Sequence, residues 1–274
     1  MDWLTRLDRR WLYLAMAVVV AVPFLEKWTF PIIPSAAARK IYDTVEALPP
    51  DSVVLFSADY DPGSEAELYP MTVAIFEHLA RKNLRLVITQ LWPNADPLVQ
   101  EALKTTLIPA GKVYGKDYVN LGYRPGGSIL ISKCFDDIPQ AFKTDKDGTR
   151  IADIEAMRGV GKLGDVDLFI VISAGTPGIQ EWVEQGQART GRPMASGMTA
   201  VSAPDFFQYV NSNNLIGILG GLRGAADYEQ LVGRPGRGSL GMAPQSFGHL
   251  LIVLFIVLGN IGFLLARRRS RRAS

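Results

Sequence analysis

"SVVLFSADYDPGSEAELYP", residues 52–70, is the stretch on which the fold class turns. Its first six residues, 52–57, are mostly apolar and β-prone, the composition of a strand buried on both faces. Asp61-Pro62-Gly63 then reads as a turn. From Pro70 to Arg81 the apolar residues fall at helical spacing, with Val73, Phe76 and Ala80 on one face and Ile75 and Leu79 beside it. Strand, turn and helix in that order make half of a βαβ crossover.

The unit repeats along the chain. Further β-rich runs occupy 84–90, 128–132, 167–173, 192–198 and 215–221. Helical stretches fit between most of them: Pro97 to Ile108 with Asp96 as N-cap, a helix opened by Thr176-Pro177 that carries Ile179, Trp182 and Val183, Ser202 to Val210, and Gly224 to Val232 stopped by Gly233. Strands alternating with helices predict an α/β domain over 50–232, with a doubly wound, mainly parallel sheet of Rossmann-like or flavodoxin-like kind. Two stretches break the rhythm and read as long loops, 110–127 and 142–165, the second holding a turn at "DKDG". Tyr114, Tyr118, Tyr123 and Arg124 in the first loop are candidate contact residues, since Tyr and Arg are favoured at interfaces.

The ends have a different character. Leu250 to Ala266 is seventeen residues without a charge, followed directly by "RRRSRR". Together these predict a membrane helix over 248–266 and a basic cytoplasmic tail over 267–274. Near the N-terminus, 11–28 reads as a second span or an uncleaved signal anchor, bracketed by Trp11 and Trp28, with a cytoplasmic 1–10 before it and a linker over 29–49 after it. Residues 233–247, rich in Gly and Pro, read as a tether to the C-terminal span. Within that span Gly259, Asn260 and Gly262 are candidates for helix packing.

Charge follows the same division. The chain is +2 overall, but residues 1–25 carry +1, residues 248–274 carry +5, and the middle is left at −4. Arginines flanking both spans on their outer sides put both termini in the cytoplasm and the acidic middle on the far side of the membrane. The basic cluster therefore acts on topology and anionic lipid, and nucleic acid is not an expected partner. Cys134 is the only cysteine, which excludes an intrachain disulfide, and it reads as an inert buried thiol.

In open α/β sheets ligands bind outside the carboxyl ends of the strands. That rule selects the turn after 52–57, where Asp59 and Asp61 form an Asp-x-Asp pair able to hold Mg²⁺ and support hydrolysis or group transfer. The simpler reading is a turn followed by a Ser64-x-x-Glu67 capping box, with the long helix beginning near Pro70. "SAGTPG" and "GGLRGAAD" place Gly175, Thr176, Gly178, Gly220, Gly221 and Arg223 at helix starts, where a small anion would be stabilised. His78, the one histidine of the domain, lies on a helix and gives little support to a nucleophilic triad; a partly exposed helix position is the simpler reading. With no complete catalytic constellation, the chain is expected to be a membrane-anchored, non-catalytic binding or assembly subunit. Its expected partners are membrane lipids and either further copies or other subunits of a membrane complex. No cofactor is required. A metal-dependent hydrolase or transferase using Asp59 and Asp61, and an anion receptor at the strand ends, are the alternatives.

Overall fold

The computed structural model describes residues 8–273, with side chains described through Leu264. It opens with α1 (Arg9–Leu25), capped by Asp8, and α2 (Ala36–Ala47). The α/β part follows: β1 (Val53–Asp59), α3 (Glu65–Arg81), β2 (Arg85–Gln90), α4 (Asp96–Thr105), β3 (Tyr118–Tyr123), α5 (Ser128–Asp136), α6 (Ile138–Phe142) and β4 (Leu168–Ser173). Next come α7 (Ile179–Trp182), running through a π-turn (Val183–Gln187) into α8 (Ala188–Thr190), then β5 (Met194–Met198), α9 (Ala203–Asn211), β6 (Gly217–Gly220), α10 (Gly221–Val232) and α11 (Arg237–Ala273).

All six strands pair in parallel, in the order β3-β2-β1-β4-β5-β6. That is the Rossmann-like order, not the flavodoxin-like one, and it places the reversal of strand order between β1 and β4. Side chains alternate across the sheet. Val54, Phe56 and Ala58 of β1 face a core shared with α2, α3, α4 and α10. Val53 and Leu55 face a second core under α5, α6, α7 and α9. Gly197 of β5 lets α3 cross closely, because a Cβ there would meet Met71 Sδ at 2.8 Å and Ile172 Cδ1 at 2.6 Å.

Several expected elements move. The third strand is 118–123, inside the expected loop, and 128–132 belongs to helix α5. A short apolar run has no period of its own to tell strand from helix; here Leu130, Ile131 and Cys134 share one buried helical face, while Tyr118 to Gly122 is buried throughout. Tyr118 is therefore core, and Tyr114 packs edge-on against it at 5.4 Å with its hydroxyl on Asp145, so neither offers the expected contact surface. Arg124 is likewise spent locally, on the carbonyls of Tyr123 and Thr144, while Tyr123 stays half-buried at the strand end. The "DKDG" turn forms as expected, with Asp145 accepting from the backbone of Asp147 and Thr149.

Other boundaries shift for local reasons. α3 starts at Glu65 and holds Pro70 inside it, near enough to the N-terminus that the missing N–H removes one bond of an otherwise complete ladder. Asp96 is the first residue of α4 and not its cap; a 3₁₀ turn (Pro93–Ala95) precedes it and the carboxylate is turned to Gln90, Asn120 and Gln100. The expected linker 29–49 contains α2, because Ser35 accepts from Ala38 N–H and Ala38, Ile41 and Val45 repeat at helical spacing into the core. The expected tether is helical from Arg237, since the Glu229 carboxylate accepts from Gly236 N–H and Gly238 N–H, both at 2.8 Å, and caps the start of α11.

Backbone contacts divide the chain into two compact units: Ile32–Gly238, and the terminal segments Met1–Pro31 with Ser239–Ser274. Among the described residues one helix, Arg237–Leu264, is long and apolar enough to cross a membrane, and almost none of its apolar window is buried. α1 is shorter than the expected span over 11–28: it has 17 residues, and the chain turns after Leu25 with Trp28 N–H bonding back to Pro23 O. At about 1.5 Å per residue it reaches about 25 Å, against a hydrocarbon layer of about 30 Å. Residues 1–7 and the side chains of Arg267, Arg268, Arg269, Arg271 and Arg272, on which the topology expectation rests, lie outside the described residues.

Candidate functional site

At the reversal point, Asp59 ends β1 directly beside Ser173, the last residue of β4. β1 runs two residues beyond the expected 52–57, so Asp59 continues the alternation of Leu55 and Ser57 into the α5–α7 face and is completely buried. Ser57 Oγ is 2.8 Å from both carboxylate oxygens, and Leu91 N–H donates to Oδ1 at 2.7 Å. The Trp182 indole Nε1 lies close enough to favour the charged form, yet falls short of hydrogen-bond geometry and has no other partner among the described residues. Burial outweighs these contacts and pushes the Asp59 carboxyl up to about 7.

The loops around it are stitched together. Asp59 O accepts from Ala174 N–H at 3.0 Å, which anchors the β4–α7 loop. Trp92, in the β2–α4 loop, donates from Nε1 to Pro177 O at 2.8 Å, and its ring covers Gly175. Gly178 admits no side chain: a Cβ would sit 2.1 Å from Ser173 Oγ. Its N–H is taken by the Glu181 carboxylate at 2.6 Å. On the other side, Glu67 accepts from Ala200 N–H at 2.8 Å, tying the first turn of α3 to the β5–α9 loop. That bond replaces the expected capping box: Ser64 makes no cap and its hydroxyl donates to Asp61.

The Asp-x-Asp pair does not converge. Tyr60, the residue between the two in sequence, is fully buried in the α3-side core with its hydroxyl 2.8 Å from Thr72 Oγ1, and Asp61 folds back to accept from Gly63 N–H at 3.0 Å. Among the described residues no group of three or more His, Cys, Asp and Glu side chains comes together as a metal site. The two anion candidates also differ from expectation. Arg223 is spent on Asp227 Oδ1 at 2.7 Å and on Ile33 O at 2.8 Å, and Asp227 in turn accepts from Ser35 N–H. Gly221 is required by crowding and by its φ of +58°, since a Cβ there would lie 2.6 Å from Ala200 Cβ, while one on Gly220 would meet Ala203 Cβ at 3.2 Å. Thr176 precedes Pro177 through a cis bond in the loop that carries Gly175 and Gly178.

Two further polar centres are buried. Gln90 at the end of β2, Asn120 in β3 and Asp96 form a network, leaving Gln90 Oε1 without a partner among the described residues. His78 is fully buried, not partly exposed: it joins Tyr228 at 2.8 Å through Nδ1 and Glu46 at 3.0 Å through Nε2, and stacks on Tyr42. Burial lowers His78 to about 4, against the opposing pull of Glu46. Cys134 is buried as expected, and burial pushes its thiol up to about 12. Open grooves lie away from all of these. One of about 230 Å³ runs between α3 and the segment after α10, lined by Tyr69, Glu77, Glu229, Arg234 and Arg237. Another, of about 390 Å³, lies in the loop around Ile151 to Val160.

The residues that the sequence reading passed over are Ser57, Trp92, Glu181 and Trp182. Period-two alternation continued past Ser57 would have turned Asp59 inward, which was the available signal. The partners from α7 and the β2–α4 loop come from over 30 residues away and leave no local mark. The chain matches no protein-family model and no curated protein.

Proposed function

We propose that the chain is a membrane-anchored α/β domain working as a non-catalytic binding or assembly subunit of a membrane complex. The observation that carries this is α11, whose apolar face is exposed along Leu250, Ile252, Val253, Ile256, Val257, Phe263 and Leu264. A core helix of that length would be largely covered, and this one is bare and follows the α/β domain, which suits lipid and not a signal sequence. α1 is the second membrane element in this reading. It lies beside α11, where Trp28 and Phe30 pack on Phe247 at 5.6 and 5.8 Å, and its own outer face exposes Trp11, Leu14, Val18 and Phe24. Seventeen residues are the short end of what spans a bilayer. The arginine-rich ends then hold both termini in the cytoplasm and the domain outside.

A binding role is favoured over catalysis because Asp59, His78 and Cys134, the groups best suited to proton transfer or nucleophilic attack, are all sealed from solvent. Alkaline-carbonate washing followed by mild detergent extraction and mass measurement tests the proposal. Retention in membranes and a particle larger than one chain are expected; a strictly monomeric, partner-free chain overturns the assembly role. The alternative is a Mg²⁺-dependent hydrolase or transferase using Asp59 and Asp61, which would require solvent and substrate to reach the buried Asp59 at the reversal point. A Mg²⁺-induced rise in Tm that Asp59→Asn and Asp61→Asn each abolish would establish it.

A further inference from the structure

α11 has two unlike faces. Gly248 meets α1, since a Cβ there would lie 3.6 Å from Val20 Cγ2 and 3.9 Å from Met16 Sδ. Helical spacing from Gly248 leads through Leu251, Phe255 and Leu258 to Gly262, and these are half-buried or buried. At 100° per residue, Asn260 points roughly 170° away from that stripe. It is exposed, and among the described residues its carboxamide has no hydrogen-bond partner. Gly259 beside it has nothing within 4 Å of an added Cβ.

Asn260 is not isolated on its face. His249, Val253, Ile256, Asn260 and Phe263 follow one another at alternating steps of four and three, the spacing of a left-handed helix pair. All five are exposed: Val253, Ile256 and Phe263 by 55%, 57% and 64%. An apolar stripe alone is satisfied by lipid tails and names no partner. A carboxamide in its middle is not, because hydrocarbon offers it neither donor nor acceptor. A carboxamide also carries one of each, so the group that complements it most simply is a second carboxamide.

We propose that this stripe pairs with the same stripe of a second copy of the chain, parallel, with Asn260 bonded to the Asn260 of the second copy across a two-fold axis. The inference rests on the membrane anchoring of α11 proposed above. Two copies inserted in the same sense are parallel, and a two-fold axis along the pair sets each residue against itself, which puts the two carboxamides at one level. In a heptad seam a single Asn at such a position fixes register and number of strands. The face toward α1 stays occupied within each copy.

Cysteine scanning of the full chain in membranes tests this, with Cys134→Ser as background, or with Cys134 retained, since its thiol is buried. Val253→Cys, Ile256→Cys and Phe263→Cys should form oxidant-induced dimers several-fold faster than Leu250→Cys, Leu254→Cys and Ile261→Cys, which are equally uncovered but lie on another side. Asn260→Val should raise the dissociation constant of the dimer about threefold to tenfold, with partial recovery in Asn260→Gln. Cross-linking that is absent, or equal from both sets, while the chain stays in carbonate-washed membranes overturns the pairing and leaves the anchoring intact. Release of the chain by carbonate overturns the anchoring, and the pairing with it.

Discussion

Asp59→Asn should stabilise the protein at neutral and alkaline pH and do nothing at pH 4. In the folded chain burial holds the Asp59 carboxyl near 7, against 3.8 when exposed. Between those values the folded state keeps a proton that the unfolded state has released. Stability therefore falls as pH rises through that window and levels off above it. At about 1.4 kcal/mol per pH unit the full loss is of the order of 4 kcal/mol. Asn occupies the same volume, its oxygen can accept from Leu91 N–H, and its amide can donate to Ser57, so the variant keeps the contacts without the titration. In a domain of about 200 residues the gain corresponds to a rise in Tm of about 10 °C at pH 8. Urea unfolding of the full chain in detergent, followed by tryptophan fluorescence from pH 4 to 8.5, gives the difference between the two proteins directly. A difference that does not change with pH, or a variant less stable than the wild type at pH 8, refutes the assignment of a buried neutral acid.

The same titration should expose His78, whose effect has the opposite sign. Its folded value near 4 lies below 6.5, so its stabilisation is complete above pH 6.5 and is lost as pH falls toward 4. In the Asp59→Asn background stability should drop by about 3 kcal/mol over that interval, and the drop should vanish in Asp59→Asn/His78→Gln. Gly178→Ala should destabilise by about 2 kcal/mol or more, measured as a lower urea midpoint, because its Cβ would overlap Ser173 Oγ and Gly175 O. Trp92→Phe, which keeps the ring but loses the bond to Pro177 O, should cost about 1 kcal/mol and speed proteolysis in the 174–178 loop. Glu229→Gln should weaken the start of α11 and destabilise by about 1–2 kcal/mol, read as a lower urea midpoint, since two backbone donors lose a charged acceptor.

The sheet was legible in runs such as 167–173, whose apolar and β-branched residues suit a strand buried on both faces. β3 was not legible. Its glycine at 122 and asparagine at 120 dilute the apolar signal, and Asn120 is there to hold Gly122 N–H, two residues on, and Asp96, a partner that the fold brings near from the start of α4. The capping box at Ser64 was chemically possible, but Glu67 has a better acceptor role 133 residues away. Likewise the local pattern around Arg223 suits an anion, and the fold supplies one from within, in Asp227. At Glu67 the residue type was read correctly and its partner was not, because bonds between segments far apart in the chain are set by strand order, which sequence periodicity does not encode; Arg223–Asp227, by contrast, is an i,i+4 pair within α10 that helical spacing could have shown.

That stitching bears on function. The loops at the carboxyl ends of β1, β2, β4 and β5 are joined by Glu67 to Ala200, Trp92 to Pro177, and Asp59 to Leu91 and Ala174. Enzymes that enclose a substrate need at least one such loop free to open, on a low-stability segment with few polar ties. Here an opening motion at the reversal point would break bonds buried with Asp59 and expose a carboxyl whose pKa burial has raised. The same rigidity suits recognition by a preformed surface, where little ordering is left to do on contact. If a substrate nevertheless enters there, hydrogen exchange at Leu91 and Ala174 should occur far faster than at Val87 or Val171 in mid-strand. Equal, slow exchange at all four would keep the crevice closed and leave the outer surface of these loops as the part of the domain that meets a partner.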